Sequence, residues 1–236
     1  MDFTKEHYLK LISYYHGLGY KYYGIESNKK NNLIIRHDVD YSLTIAVDFA
    51  HFEHLNGIKS TYYLLMTSNF YNLFSKESRG LVNKLLSYGH DIGIHFDYAS
   101  YDVRNFEDLE TLVHFEKNIF ERYFNTKIKS ISFHRPIESN FDLPKKISGL
   151  TNLYNEDLFY KINYFSDSRR NWKKDPFSIE DLNKPIQLLT HPVWFETNAE
   201  SILKTLNNLE HIIVKEFWVN VSKNISNFKD IQNGKE

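Results

Sequence analysis

The fold prediction starts from the segment Leu33-Ile34-Ile35-Arg36-His37-Asp38-Val39-Asp40. In this segment a mainly apolar strand is followed directly by two carboxylates. Three later stretches share this pattern and end in a histidine: Asp91-Ile92-Gly93-Ile94-His95, Ser130-Ile131-Ser132-Phe133-His134 and Ile186-Gln187-Leu188-Leu189-Thr190-His191. Between them, segments such as Phe106 to Phe124 carry apolar residues at helical spacing. Strands that alternate with helices predict an α/β fold with a mainly parallel sheet.

The length of the chain favours one large domain built around this sheet. With 236 residues and no Gly-, Pro- or Ser-rich linker, we expect a single domain over 1–236, with a polar tail that frays over 222–236. We expect parallel strands in a (β/α) barrel with outer helices, and an open doubly wound sheet is the alternative. In a barrel the carboxyl ends of the strands form one rim, where active sites lie.

Composition narrows the functional classes. The net charge of −1 and the absence of a long basic stretch argue against a nucleic-acid binder. The sequence contains no run of about 18 apolar residues, the length that a membrane span requires. The N-terminus also lacks the apolar core of a signal peptide, so we expect a cytoplasmic protein. The chain has no Cys, so a bound metal must be held by His and carboxylate side chains.

The residues at the four strand ends predict a metal site. Asp38 and Asp40 lie two apart, so in an extended strand both face one side, where they repel unless a cation lies between them. An Asp-rich turn that only caps the next helix is the alternative. His95, His134 and His191 each end a strand, and each alone is more often structural. His191 suits a ligand or a general acid. Their occurrence at four strand ends favours convergence around one cation.

Five segments resemble, in order, the motifs of NodB-type polysaccharide deacetylases of carbohydrate esterase family 4, in the divergent branch with a His-Asp-Val-Asp first motif. The first, second and fifth are specific in combination, whereas the third and fourth are weaker. The segments are Arg36-His37-Asp38-Val39-Asp40, Gly89-His90-Asp91-Ile92-Gly93-Ile94-His95, Phe133-His134-Arg135-Pro136, Asp167-Ser168-Arg169-Arg170-Asn171-Trp172 and Leu189-Thr190-His191-Pro192.

The resemblance implies a distorted (β/α) barrel with one divalent metal ion, usually zinc. By this analogy Asp38 is the general base, Asp40 and His95 are metal ligands, and His191 is the general acid. Family members carry a second ligand histidine four residues after the first, and here that position is Ala99. His134 is the preferred third ligand, because it should lie on the same rim.

Asp97 is the next choice for the third ligand, and other side chains are candidates for contact with a saccharide. Arg135 and Arg170 are expected to bind the substrate or to orient Asp38. Trp172 and Trp194 are expected to line a sugar pocket, with packing at the barrel mouth as the alternative.

The sequence therefore predicts a metal-dependent hydrolase that removes an N-acyl group, most simply N-acetyl, from a sugar or saccharide precursor. A different metal hydrolase on a barrel rim is a second hypothesis, because a fold alone does not fix the reaction. The third hypothesis is a catalytically silent saccharide-binding barrel that has lost its metal.

Overall fold

The computed structural model describes residues 2–135, 143–195 and 201–233, and strands alternate with helices along most of this length. The strands in these parts are β1 (Leu33–Val39), β2 (Thr61–Leu64), β3 (Asp91–Phe96), β4 (Ser130–Phe133), β5 (Lys146–Ile147), β6 (Leu150–Asn152), β7 (Asn163–Ser166) and β8 (Ile186–Thr190). The α-helices are α1 (Lys5–Gly17), α2 (Leu43–Leu55), α3 (Lys76–Ser87), α4 (Phe106–Phe124), α5 (Glu156–Phe159), α6 (Ile202–Asn224) and α7 (Phe228–Gln232).

Capping side chains determine where the long helices begin. The hydroxyl groups of Thr4, Ser42 and Ser75 accept hydrogen bonds from the backbone N–H three residues later, at the starts of α1, α2 and α3. Asn105 does the same for α4, and Asn125, the residue after the end of α4, lies in the left-handed region at φ 50°. Such side chains satisfy amides that a helix cannot pair internally, so these helix starts follow directly from the sequence.

The eight described strands form one sheet in the order β5-β6-β4-β3-β2-β1-β8-β7. Every neighbouring pair is parallel except β5 with β6, which is antiparallel. Helices α2, α3 and α4 connect successive parallel strands, as parallel pairing requires. The parallel strands therefore share one carboxyl edge, and β1 lies between β2 and β8 near the middle of it.

The sheet is curled, and this brings β8 close to the residues that follow β6, near the opposite end of the strand order. Gln187 of β8 donates from Nε2 to the carbonyl oxygen of Leu153, just after β6, over 3.4 Å. On a flat sheet the five steps from β8 to β6 would cover roughly 24 Å. The predicted α/β fold with a distorted barrel is therefore confirmed, although no strand pairing among the described residues joins β5 to β7.

Alternation along β1 separates two environments. Arg36 and Asp38 point into the concave interior, where they contact Tyr154 and Ser132. His37 points to the outer face instead, since successive side chains of a strand face opposite sides. The two-residue period of the strand therefore places Asp38 in the interior and Asp40, two residues later, at the rim.

An apolar cluster fills the space between the outer face of the sheet and helices α2, α3 and α4. It includes Ala46 of α2, Val82 of α3 and Phe120 of α4, together with Ile94 and Ile131 of β3 and β4, all of them buried. Burying a large apolar side chain contributes roughly 1.5–3 kcal/mol. This cluster therefore fixes the positions of the strands whose ends carry the predicted site.

Contacts divide the chain into two compact units, Met1–Asn198 and Ala199–Glu236. The sheet belongs to the first unit, and α6 and α7 belong to the second. The single domain expected over 1–236 stays a prediction. None of the described helices combines the length and the apolar character that crossing a bilayer requires.

The fraying predicted over 222–236 stays a prediction, although the described residues of this segment include helical turns. Helix α6 continues to Asn224, and α7 follows at Phe228–Gln232. The length of α6 follows from its own sequence, because Ser201 caps its start and neither Gly nor Pro interrupts it.

Candidate active site

Three potential metal ligands come together at the carboxyl ends of β1, β3 and β4. Asp40 follows β1, His95 lies at the end of β3, and His134 follows β4 directly. Their ligand atoms all lie within 4.8 Å of one another, the only such group of three or more His, Cys, Asp or Glu residues in the described parts of the chain. The register brings them together, because His95 lies opposite Ser132 on the neighbouring strand.

The spacing of these atoms fits a small divalent cation. Nε2 of His95 and Nδ1 of His134 lie 3.2 Å and 3.4 Å from Oδ1 of Asp40, and the two nitrogens are 3.1 Å apart. Tetrahedral ligands at about 2.0–2.1 Å from zinc are separated by about 3.3–3.4 Å. Oδ1 of Asp40 is also buried, with no well-oriented donor among the described residues. Such a buried oxygen is costly without a partner, so the residue set fits one divalent metal ion.

The tautomer of His95 is fixed by a backbone group. Its Nδ1 lies 3.3 Å from the carbonyl oxygen of Ser132. A carbonyl only accepts hydrogen bonds, so Nδ1 carries a proton, and in the neutral ring this leaves the lone pair of Nε2 available to a cation. The backbone N–H of His134 donates to the carbonyl of Phe96 over 2.9 Å, which extends the pairing of β3 and β4 to the rim. Main-chain contacts therefore hold the imidazole of His95 and the backbone of His134.

The charge of Asp40 is stabilised by the surrounding histidines. Burial alone would raise the pKa of its carboxyl, but the neighbouring imidazoles of His134, His95 and His191 hold that pKa well below its usual value. The pKa of His134 is in turn raised, chiefly by the Asp40 carboxyl beside it. Asp40 is consequently ionised at neutral pH, which is the form that binds a cation.

Asp38 lies beside the three potential ligands and has its own partners. The hydroxyl of Ser132 donates toward its two carboxylate oxygens over 3.3 Å and 3.2 Å, and Nη2 of Arg36 lies 3.6 Å from Oδ2. Asp38 also lines a small pocket together with Asp40 and Tyr41. Asp38 is therefore a carboxylate held next to a cavity at the rim.

His191 forms a tight pair with a buried carboxylate on the next strand. Its Nδ1 donates to Oδ1 of Asp167 over 2.6 Å, and its backbone N–H donates to Oδ2 over 2.9 Å. Nε2 of His191 faces Oδ2 of Asp40 at 3.8 Å. Burial would lower the pKa of His191, but Asp167, with smaller contributions from Asp40 and Asp38, raises it to about 9. His191 is therefore protonated at neutral pH.

Asp167 is the site residue that the sequence prediction missed. It stands first in the fourth motif, in which Arg170 and Trp172 are the predicted site residues. In the structure it directly follows β7 and is completely buried. The available signal was its place after Asn163-Tyr164-Phe165-Ser166, because this short strand also ends in an acidic side chain at the shared rim.

Arg135 and Asp97 pair with each other near the three potential ligands. Nη2 of Arg135 lies 2.8 Å from Oδ2 of Asp97, and Oδ1 of Asp97 accepts from the N–H of Ala99 over 3.2 Å. Asp97 does not belong to the ligand group of Asp40, His95 and His134. The substrate-binding role of Arg135 and the ligand role of His134 stay predictions.

The other predicted substrate-binding side chains lie among aromatic rings. Arg170 places its guanidinium 5.1 Å from the ring centroid of Phe3, and Trp172 stacks on that ring at 6.0 Å. Trp194 is buried, with its ring 6.4 Å from Tyr41. Roles of Arg170, Trp172 and Trp194 in saccharide binding remain predictions, and aromatic packing accounts for the contacts seen here.

A second polar cluster lies behind the site on the outer face of the sheet. His37 contacts Glu53 of α2 at 2.9 Å through Nε2 and the hydroxyl of Thr190 at 2.6 Å through Nδ1. The phenol of Tyr62 donates to Glu53 over 2.7 Å. Burial raises the pKa of Glu53, but His37 and His90 outweigh it and lower that pKa to about 2. The cluster ties β1 and β8 to α2 just behind Asp38 and His191.

Comparison with known proteins gives matches only at the level of structure. No family model and no curated protein matches the sequence. A chitin deacetylase from Colletotrichum lindemuthianum superposes with a TM-score of 0.47 at 15% identity, over 76% of this chain and 81% of that one. A family 4 carbohydrate esterase from Bacillus anthracis gives 0.43 at 14% identity, over 85% and 84% of the two chains. The fold resembles that of family 4 carbohydrate esterases.

A third match is a family 4 pseudoenzyme from Bacillus anthracis, with a TM-score of 0.42 at 12% identity. It covers 80% of this chain and 62% of the pseudoenzyme, so the chain spans less than two thirds of that protein's length. All three likenesses are weak in sequence and in superposition and concern the fold alone. Function has to be argued from the residues of the site.

Proposed function

We propose that the protein is a metal-dependent hydrolase that removes an N-acyl group, most simply N-acetyl, from a saccharide. The observation that carries the proposal is the convergence of two carboxylates and three histidines from four strand ends on one rim. Three of them, Asp40, His95 and His134, suit a divalent cation. Asp38 and His191 remain on the same rim for proton transfer.

Asp38 is assigned the role of general base. It is buried beside the pocket, and its Oδ2 lies 3.8 Å from Nε2 of His95, next to the three potential ligands but outside their group. A carboxylate in that position can take a proton from a water molecule as the water attacks an acyl carbon. Ser132 orients Asp38 for this step through its hydroxyl.

His191 is assigned the role of general acid, with Asp167 as its orienting partner. An amine is a poor leaving group unless it receives a proton, and His191 carries one at neutral pH because its pKa is about 9. Asp167 occupies Nδ1, so Nε2 is the atom that donates. The pair thus fixes both the tautomer and the direction of proton transfer.

The cation would be held by Asp40, His95 and His134. When bound, a divalent ion such as zinc supplies a Lewis acid that polarises an acyl oxygen and lowers the pKa of water. The proposal includes the saccharide substrate because the ring of Tyr41 lines the pocket, and aromatic faces suit sugar rings.

The direct test combines metal analysis with an assay for amine and acetate release from N-acetylated chito-oligosaccharides. We expect one divalent ion per chain and release of both products. Asp38→Asn should retain the metal and lose at least about 100-fold in kcat, since it removes the base. His95→Ala should lose both metal and activity.

Two results would contradict the proposal. Failure to release amine from any N-acetylated saccharide would contradict it, with a metal-free chain favouring the silent saccharide-binding barrel and a metal-bound chain favouring a different metal hydrolase. Full activity in Asp38→Asn, or full activity of a chain depleted of metal, would remove the assigned mechanism. His191→Ala is the companion variant, and it should retain metal while amine release slows.

A further inference from the structure

We propose that Arg36 is a positioning residue that holds the Asp38 carboxylate from inside the barrel, an inference that rests on the proposed role of Asp38 as base. Arg36 lies two residues before Asp38 on β1, so both side chains point to the concave face. It is completely buried. A charged side chain in the middle of a buried strand is uncommon and calls for a reason.

The contacts of Arg36 direct its guanidinium toward the rim. Nη2 donates to the hydroxyl oxygen of Tyr154 over 2.7 Å, and the guanidinium carbon lies 4.7 Å from the centroid of the same ring. The same Nη2 lies 3.6 Å from Oδ2 of Asp38. Tyr154 therefore supports the guanidinium in the position from which it faces the carboxylate.

The charge balance of the barrel interior strengthens this assignment. A guanidinium stays protonated in proteins, and a buried charge without an opposite charge is strongly unfavourable. Asp38 is the only carboxylate within salt-bridge distance of Arg36 among the described residues. Nε and Nη1 of Arg36 have no hydrogen-bond partner in those residues. Asp38 is thus the anion on which the buried charge of Arg36 depends.

Arg36 and Ser132 together fix Asp38 from two directions. The Ser132 hydroxyl reaches both carboxylate oxygens from β4, while Arg36 approaches Oδ2 from the layer below on β1 itself. A carboxylate held by one hydroxyl alone can rotate about its side-chain torsions. The second contact restricts that rotation, and misplacement of a catalytic group by about 1 Å can cost about 100-fold in rate.

The kinetic test compares Arg36→Met with Arg36→Lys. Arg36→Met removes the charge at similar length and should lower kcat about 100-fold, with KM and metal content unchanged. Arg36→Lys keeps a positive charge and should recover part of the loss, which a purely space-filling role would not explain. The matched control is Arg79→Met, because Arg79 lies 5.1 Å from the ring of Tyr123 but is exposed. It should leave kcat unchanged.

A stability cycle tests the pair without requiring activity. Urea unfolding is measured for Arg36→Met, Asp38→Asn and the double variant. If the two side chains are partners, the double variant loses less stability than the sum of the single variants. Arg36→Met combined with Asp97→Asn is the control pair, and its effects should add. This cycle separates a failure of the inference from an inactive wild-type protein.

Additive effects of Arg36→Met and Asp38→Asn, or a wild-type kcat in folded Arg36→Met, would overturn the inference. If Arg36→Met does not fold, Arg36→Lys and Tyr154→Phe take its place. Tyr154→Phe removes the hydroxyl that holds the guanidinium and should lower kcat at constant KM and metal content. Wild-type kcat in both replacement variants would also overturn the inference.

Discussion

The proton on His191 depends on the neighbouring carboxyl of Asp167. Their contact of 2.6 Å outweighs burial and raises the pKa of His191 to about 9. A general acid acts only while protonated, so we expect kcat to fall as pH rises through about 9. Asp167→Asn removes the carboxylate that raises the pKa of His191, whereas the burial that lowers this pKa remains. The alkaline fall in kcat should then move to lower pH, which a pH–rate profile of both proteins would reveal.

The matched control for this pH profile is Asp157→Asn. Asp157 is an acidic residue that pairs with Lys145 over 2.8 Å at an exposed position, so its variant should keep the wild-type profile. An alkaline limb at the same pH in wild type and in Asp167→Asn would contradict the proposed pairing of acid and orienting residue.

Residues at strand ends could be predicted from the sequence, whereas their partners could not. Asp40, His95 and His134 follow clear apolar strands, and parallel strands bring such ends to one edge. Asp167 was missed because its strand, β7, has only four residues, of which Asn163 and Ser166 are polar. Partners of this kind depend on distances between strands far apart in sequence, which local patterns do not contain.

At the scale of elements, the packing of β2 against β3 depends on Gly93. The phenol of Tyr63 crosses β3 to reach the hydroxyl of Ser130 at 2.6 Å. A Cβ at position 93 would lie only 2.6 Å from Cδ1 of Tyr63 and 3.1 Å from the carbonyl of Ser130. We expect Gly93→Ala to lower the free energy of unfolding by about 1–3 kcal/mol, measured by urea denaturation.

The control for the strand glycine is Gly80→Ala in α3. A Cβ there would meet no atom within 4 Å, and alanine favours a helix over glycine by about 1 kcal/mol. The control should therefore be neutral or stabilising. A Gly93→Ala protein as stable as the wild type would show that β2 and β3 can accommodate the methyl group.

Helix α4 contains a buried carboxyl that links stability to pH. Burial raises the pKa of Glu116 to about 7, although a hydrogen bond from Tyr101 opposes the shift. Between the ordinary pKa near 4.5 and about 7 the folded state keeps a proton that the unfolded chain has lost. Stability therefore falls as pH rises through that window, by about 3 kcal/mol in total.

Glu116→Gln removes this titration and tests its sign. The free energy of unfolding of the variant minus that of the wild type should be larger at pH 8 than at pH 5. The increase should be roughly the stability that the wild type loses between these pH values. The measurement is the free energy of unfolding in urea at both pH values. If the difference in free energy of unfolding between the two proteins were the same at both pH values, the Glu116 carboxyl would not be the source of the pH dependence.

Element boundaries could be predicted where periodicity and caps agree. Helix α4 has the bounds that its apolar spacing predicts, Phe106–Phe124, and Asn105 and Asn125 flank it as caps. The hairpin of β5 and β6 and the strand β7 are two to four residues long, too short for a period to develop. These strands exist because they pair with longer neighbours.

For the whole molecule, the proposed cation would join strands that are distant in sequence. Asp40, His95 and His134 belong to three strands, so an ion held by all three binds the folded chain and not the unfolded one. Adding zinc to chelator-treated protein should raise the thermal midpoint. At 100 times the dissociation constant the stabilisation is about 2.7 kcal/mol.

Single-ligand variants would decide which side chains hold the ion. His134→Ala should lose most of the zinc-dependent rise in the thermal midpoint, whereas Asp97→Ala should keep it, because Asp97 lies outside the ligand group and pairs with Arg135. The exposed helix residue His114 provides the control, and His114→Ala should respond to zinc as the wild type does. A full zinc-dependent rise in the thermal midpoint of His134→Ala, together with no rise in Asp97→Ala, would show that Asp97 and not His134 is the third ligand. No rise in the wild type would mean that these three strand ends do not hold zinc, and the hydrolase proposal would then lose its basis.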